Sequence, residues 1–198
     1  MFLKCEQKVY KLETCGLCIM NISSILSTKE RIRILESVLF REDGFGVNEI
    51  AKQLKLSKAL VSKYFDILIK GKILVRMKKK FYVSGNVRAK SLKILLNLQK
   101  FEPRIFKKYK FVKSAGVYGS CAKGTNTENS DVDLWVKVDK LREKEIVRLG
   151  LDLRRKISNI KILFLDDEKI MAIKKDDPIF YYSLYFGSII IYGGEDEI

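Results

Sequence analysis

The stretch GSCAKGTNTENSDVDLWV, residues 119–136, decides how the second half of this chain reads. It opens on a Gly-Ser pair behind the apolar run VKSAGVY and closes on two aspartates one residue apart. The run before it predicts a strand over Val112–Tyr118, and the run at its end a strand over Val132–Val138, with a short helix between. Glycine at a strand-to-helix turn lets the main chain approach a ligand closely. The unpaired N–H groups at a helix start attract phosphate oxygens, and the Ser120 hydroxyl can donate or accept at the same place. Asp131 and Asp133 stand two residues apart at the head of a strand, so both carboxylates project to one face. Two adjacent carboxylates repel unless a cation lies between them. Completed by phosphate oxygens and water, such a pair suits Mg2+, or Mn2+ in its place.

The whole pattern is Gly-Ser, three residues, Gly, five residues, Ser-Asp-x-Asp, here Gly119, Ser120, Gly124, Ser130, Asp131 and Asp133. On these residues the chain resembles the polymerase-beta-like nucleotidyltransferase superfamily, its minimal nucleotidyltransferase branch in particular, over about residues 112–193. The resemblance implies a nucleoside triphosphate bound at Gly119, Ser120, Gly124 and Ser130 and a divalent metal bound by Asp131 and Asp133. An NMP group would then pass to an acceptor hydroxyl or phosphate. Lys123 stands where the family often carries a basic residue, which would touch a phosphate; an exposed helical lysine is the alternative. Minimal nucleotidyltransferases often act as antitoxins that modify a toxin, which would make a protein the acceptor, but those are usually shorter and lack an N-terminal half like this one.

Many members carry a third carboxylate on a later strand, as metal ligand and general base. That strand here reads NIKILFLDD, and the aligned position is Lys161, an ammonium. Asp166 is the remaining candidate for a catalytic carboxylate, and it serves only if the strand is shifted or bent. Loss of a general base costs roughly 10²- to 10⁴-fold in rate. Downstream, a helix over about residues 141–157, a strand over Ile160–Leu165, a helix near Pro178–Phe186 and a strand over Ile189–Tyr192 complete a mixed sheet with helices packed on it.

The first half is marked by charge. From Lys52 to Lys113 there are 19 Lys or Arg against two acids, a net +17, while the remaining residues carry 20 basic and 22 acidic groups. One segment therefore holds the whole excess of this +15 chain, as a polyanion partner would favour. Its pattern is helical from Thr28 (Ile32, Leu35, Val38, Leu39), broken at Asp43-Gly44-Phe45-Gly46, and helical again in VNEIAKQLKL. Ser57 is the N-cap expected for SKALVSKYFDILIKGK, with Leu60, Val61, Tyr64, Phe65 and Leu68 on one face and Gly71 as its left-handed terminus. ILVRMKKKFYV reads as a hairpin around the basic turn Arg76–Lys80.

Three helices and a basic hairpin resemble a winged helix-turn-helix. That arrangement implies nucleic acid, double-stranded DNA first, against Ser57, Lys58, Ala59, Ser62 and Lys63 on the third helix. Arg76, Lys78, Lys79 and Lys80 would lie beside a phosphate backbone on the wing. The helical residues 86–109, interrupted at Pro103, join the halves.

The expected organisation is thus α+β: an N-terminal extension over 1–26, a winged helix-turn-helix over 27–85, a helical linker over 86–110 and a nucleotidyltransferase-like mixed sheet with helices over 111–198. No apolar run approaches the roughly 18 residues a membrane span needs, so a cytoplasmic protein without a membrane partner is expected. The lone CxxC of Cys15 and Cys18, with Cys5 and Cys121 apart and no histidine, lacks the paired clusters of structural zinc sites. Two functions follow: Mg2+-dependent NMP transfer by a nucleic-acid-bound enzyme, or a DNA-binding regulator with a weak or inactive transferase fold. Whether the chain forms a homodimer is not written in these residues.

Overall fold

The computed structural model describes residues 21–139 and 143–194; Cys5, Cys15, Cys18 and most of the expected N-terminal extension lie outside them. The first half runs α1 (Ile22–Ile25), α2 (Lys29–Leu39), α3 (Val47–Leu54), α4 (Lys58–Lys70), β1 (Leu74–Met77) and β2 (Lys80–Val83). Thr28 and Ser57 cap α2 and α4, their hydroxyls accepting from the N–H groups of Arg31 and Leu60. The apolar stripes of the three longer helices close on one core, with Ile34, Leu35, Ile50, Val61, Phe65 and Leu68 all buried. Tyr64 adds a hydroxyl that donates to the Ile25 carbonyl at 3.0 Å and ties α1 to α4.

Two local expectations are corrected. Gly71 ends α4 at φ −70, and the left-handed residue is Lys72 at φ 60. An added Cβ at Gly71 would sit 3.3 Å from the Ile73 Cδ1, so small size is what this position uses. The break at residues 43–46 also does more than interrupt a helix. Phe45 exchanges backbone hydrogen bonds with Phe81 at 3.0 and 2.9 Å, which fastens the loop to the hairpin. The rings of Phe45 and Phe81 both meet Phe65 edge to face.

The run expected to be helical over 86–109 forms α5 (Val87–Leu98) and α6 (Arg104–Lys107), with Pro103 before α6. Helix α5 sends Ala89, Leu92 and Leu96 into the first core. Its Asn97 turns toward the second half: Nδ2 donates to the Cys121 carbonyl at 3.0 Å and to Asn126 Oδ1 at 2.9 Å, and Asn126 Nδ2 donates back at 3.1 Å. Both amides are buried. Removing one leaves the other without its partner, at a cost of about 1–3 kcal/mol. Asn97→Ala is therefore expected to lower the free energy of unfolding by that amount, read as a lower urea midpoint at unchanged slope; an unchanged midpoint would mean the pair holds nothing together.

The second half runs β3 (Val112–Tyr118), α7 (Gly119–Lys123), β4 (Val132–Val138), α8 (Glu143–Lys156), β5 (Ile160–Leu165), α9 (Asp167–Asp176), α10 (Pro178–Gly187) and β6 (Ile189–Tyr192). The sheet order is β5-β4-β3-β6. Strands β4 and β5 are parallel, with α8 as the crossover, and β3 is antiparallel to both its neighbours, the mixed sheet expected. Alternation along β4 sorts its residues: Val132, Leu134, Val136 and Val138 pack with Leu149 and Leu153 of α8. Asp133, Trp135 and Lys137 take the opposite face, where Trp135 is buried with Leu165 and Leu184. Helix α9 escaped the sequence reading because DEKIMAIKKD buries no residue fully and only Ile170 and Ile173 pack inward. No described helix is long and apolar enough to cross a membrane.

Candidate active site

Strand register assembles the site. Asp133 pairs with Tyr118 on β3 and with Lys161 on β5, so Asp133 and Lys161 share a face at the same level of the sheet. Asp131, two residues earlier, belongs to that face as well. The Lys161 Nζ lies 2.6 Å from Asp131 Oδ2, and its charge also acts on Asp133. Gly119 follows β3 at φ 67, where an added Cβ would fall 2.6 Å from Asp133 Oδ2. The backbone turn therefore lies directly against the carboxylate. A side chain at Gly119 would be strained by the left-handed backbone, about 1–2 kcal/mol, and would push Asp133 aside. Gly119→Ala is expected to lower thermal stability accordingly; an unaltered melting temperature would contradict the close packing.

The charges respond to this packing. Burial raises the Asp133 carboxyl above the usual aspartate range, with Asp131 adding to the rise and Lys161 opposing it. Tyr118 is raised by burial and then by the Asp133 charge beside it. The Lys161 ammonium is held above its ordinary value by its hydrogen bond to Asp131. The trio carries one negative charge where a site of three carboxylates would carry three.

Residues 103–197 match the family described as Polymerase beta, Nucleotidyltransferase. The second half of the chain is thus nucleotidyltransferase-like. Among the solved structures that resemble the chain are two nucleotidyltransferase-related ones. One is a putative nucleotidyltransferase from Sulfolobus solfataricus, 15% identical with a TM-score of 0.35, the match covering 57% of this chain and 94% of that one. The other comes from a structure of a tri-AMPylated Shewanella oneidensis HEPN toxin in complex with MNT antitoxin. It is 12% identical with a TM-score of 0.32, covering 55% and 76%. No curated protein matches the chain.

Within the nucleotidyltransferase domain the remaining candidates divide. Ser120 is half-buried in the first turn of α7, next to Gly119, and Lys123 is exposed at the end of that helix. Gly124 caps α7 at φ 63 and faces α5: an added Cβ would lie 2.3 Å from the Lys90 carbonyl oxygen. Ser130 accepts the Thr127 N–H at 2.9 Å and so pins the loop that delivers Asp131. Gly124 and Ser130 thus position the loop. Cys121 is a buried free thiol, its Sγ 3.6 Å from the Asp131 carbonyl oxygen, and burial raises its pKa.

Asp166 is not brought to the pair. It caps α9, its Oδ1 accepting from the Lys169 N–H at 2.9 Å. Lys161 is level with Asp133, and five residues of strand carry Asp166 about 16 Å further along. The strand is neither shifted nor bent in a way that would return it. Among the described residues no three His, Cys, Asp or Glu side chains converge as a metal cluster.

The donor set nevertheless fits a divalent ion that arrives with phosphate oxygens. Asp131 and Asp133 are two carboxylates on one face, and the obstacle is the Lys161 contact. Its side chains are 68% and 42% exposed, so solvent screens the pair and leaves it open to exchange with a stronger charge.

The basic candidates lie in the first half. Lys58, Ala59, Ser62 and Lys63 are exposed along α4, and Ser57 is exposed with its hydroxyl engaged in the cap. Arg76, Lys78, Lys79 and Lys80 are exposed on the hairpin, where Met77 pairs with Lys80 and Lys78-Lys79 make the turn. The Arg76 guanidinium stacks 5.6 Å over the Phe81 ring.

Proposed function

We propose that the chain transfers an NMP group from a nucleoside triphosphate, while its basic first half holds nucleic acid. The observation that carries this reading is the convergence of Asp131 and Asp133 on one face of the sheet, against the Gly119 turn. In this reading Asp131 and Asp133 hold the metal, Mg2+ or Mn2+, which when bound offsets negative charge on the transferring phosphoryl group. Gly119 gives the triphosphate access to the main chain, and Ser120 offers a hydroxyl beside it. Asp133, half-buried and packed under the turn, keeps its carboxylate fixed in direction.

No carboxylate in the described site stands where a general base would, since Lys161 occupies that position. Transfer is then slower by roughly 10²- to 10⁴-fold than in a site with a base, unless the acceptor is already anionic. For the first half we propose a winged helix-turn-helix, with α4 entering the major groove by Lys58, Ala59, Ser62 and Lys63. The hairpin lysines 78–80 would then follow the phosphate backbone. Double-stranded DNA is the partner this charge and shape support best.

The Lys161–Asp131 contact favours a second reading, a DNA-binding regulator whose transferase domain binds nucleotide without turning it over. The test is transfer of α-labelled NTP, with Mg2+, to nucleic acid and protein acceptors, with and without duplex DNA. Label on any acceptor supports the enzyme; nucleotide binding without label on any of them supports the regulator.

A further inference from the structure

We infer that Lys161 is an exchangeable internal cation of the nucleotide site, paired with Asp131 in the absence of nucleotide and with the triphosphate in its presence. The inference rests on the nucleotide reading of the Gly119–Asp133 site. Three observations carry it. The register of β4 and β5 puts Lys161 level with Asp133, on the face that bears both carboxylates. Its ammonium is within 2.6 Å of Asp131 Oδ2, so a metal ion approaching Asp131 meets a charge already in its place. The side chain is nonetheless 68% exposed, on an unbranched stem free to swing, so nothing locks it there.

Charge decides the direction of the exchange. One ammonium paired with one of two neighbouring carboxylates leaves the trio at a single negative charge, which weakens its pull on a free divalent ion. A triphosphate brings several negative charges to the adjacent Gly119 turn and offers the ammonium a stronger partner than Asp131. Asp131 is released for the metal in the same event. Lys161 therefore opposes binding of metal alone and favours binding of metal with nucleotide. Removing it must push the two affinities in opposite directions, which neither a spectator lysine nor a simple competitor would do.

The experiment is calorimetric titration of the full chain with Mn2+ alone, then with Mn2+ and a non-hydrolysable NTP analogue. It compares wild type, Lys161→Ala and Lys161→Arg. Because Lys161 is exposed, the variants are expected to melt with the wild type. Lys161→Ala should bind Mn2+ alone about threefold to fivefold more tightly, the release of one exposed pair. It should bind the Mn2+–nucleotide analogue about threefold to tenfold more weakly, and Lys161→Arg should stay near wild type in both. Metal affinity that does not rise in Lys161→Ala overturns the inference. So does nucleotide affinity that rises along with it. If the wild type binds no nucleotide analogue at all, the transferase reading itself falls. If the wild type binds it and Lys161→Ala binds it equally well, the inference alone falls.

Discussion

Asp131→Ala combined with Asp133→Ala is expected to reduce nucleotidyl transfer more than about 100-fold, the largest effect of any substitution in this chain. Changes to groups that merely support metal ligands already cost about 10- to 100-fold, and this variant removes both ligands of the proposed site. The fold should survive the change. Asp131 is 42% exposed, and its ion-pair partner Lys161 is itself exposed. Asp133 lies in the second half of the chain, against Gly119, and a methyl in place of the carboxylate is smaller and adds no contact there. The measurement is label transfer from α-labelled NTP, normalised by a thermal melt of each variant. Residual transfer within tenfold of wild type would place the chemistry elsewhere.

Duplex DNA affinity is expected to fall steeply with salt, and this is the second large effect. Each phosphate neutralised contributes a log–log slope of about −0.9. Six contacts, drawn from α4 and the hairpin, would cost about 10³-fold between 50 and 200 mM salt. Replacing Lys78, Lys79 and Lys80 by alanine should flatten the slope by about 2.7, three contacts' worth, without loss of stability. All three are exposed and two of them make the turn itself. Fluorescence anisotropy of a labelled duplex across salt concentrations reads both quantities. A slope that the triple variant leaves unchanged would remove the hairpin from the interface.

The nucleotidyltransferase half was legible because its strands are short apolar runs bounded by residues that cannot continue them. Tyr118 gives way to Gly119-Ser120, and Val132 begins directly after Ser130-Asp131, so the register of the carboxylates followed from strand ends alone. Lys161 was located by the resemblance, as the residue at the third-carboxylate position, and the β4–β5 register sets it opposite Asp133. What stayed hidden depends on contacts between distant residues. Asn97 and Asn126 are 29 positions apart, and nothing in either neighbourhood marks them as a buried pair. Gly124 belongs to a phosphate signature by sequence, yet its φ of 63 and the Lys90 carbonyl oxygen beside it explain the glycine by helix packing. Helix α9 carries too few inward residues to show a period, and with it went the role of Asp166 as a cap. The bridge from Phe45 to Phe81 is a pairing of single residues, which no run of apolar positions announces.

Asn97 also gives the two halves a common fate. Helix α5 packs in the first core and bonds the middle of α7 and the loop after it, through the Cys121 carbonyl and Asn126. The loop that carries Asp131 is further held by the Glu128 N–H, which donates to the Phe40 carbonyl of the first half at 2.9 Å. The site is thus anchored on both sides of the chain, and its geometry depends on the basic half being folded.

The most direct test of this account is calorimetric titration of Mg2+ and a non-hydrolysable NTP analogue into the wild type and into Asp131→Ala/Asp133→Ala. The account predicts saturable binding by the wild type and none by the variant at the same concentrations. Equal affinity in both, or no binding by a folded wild type, would contradict it.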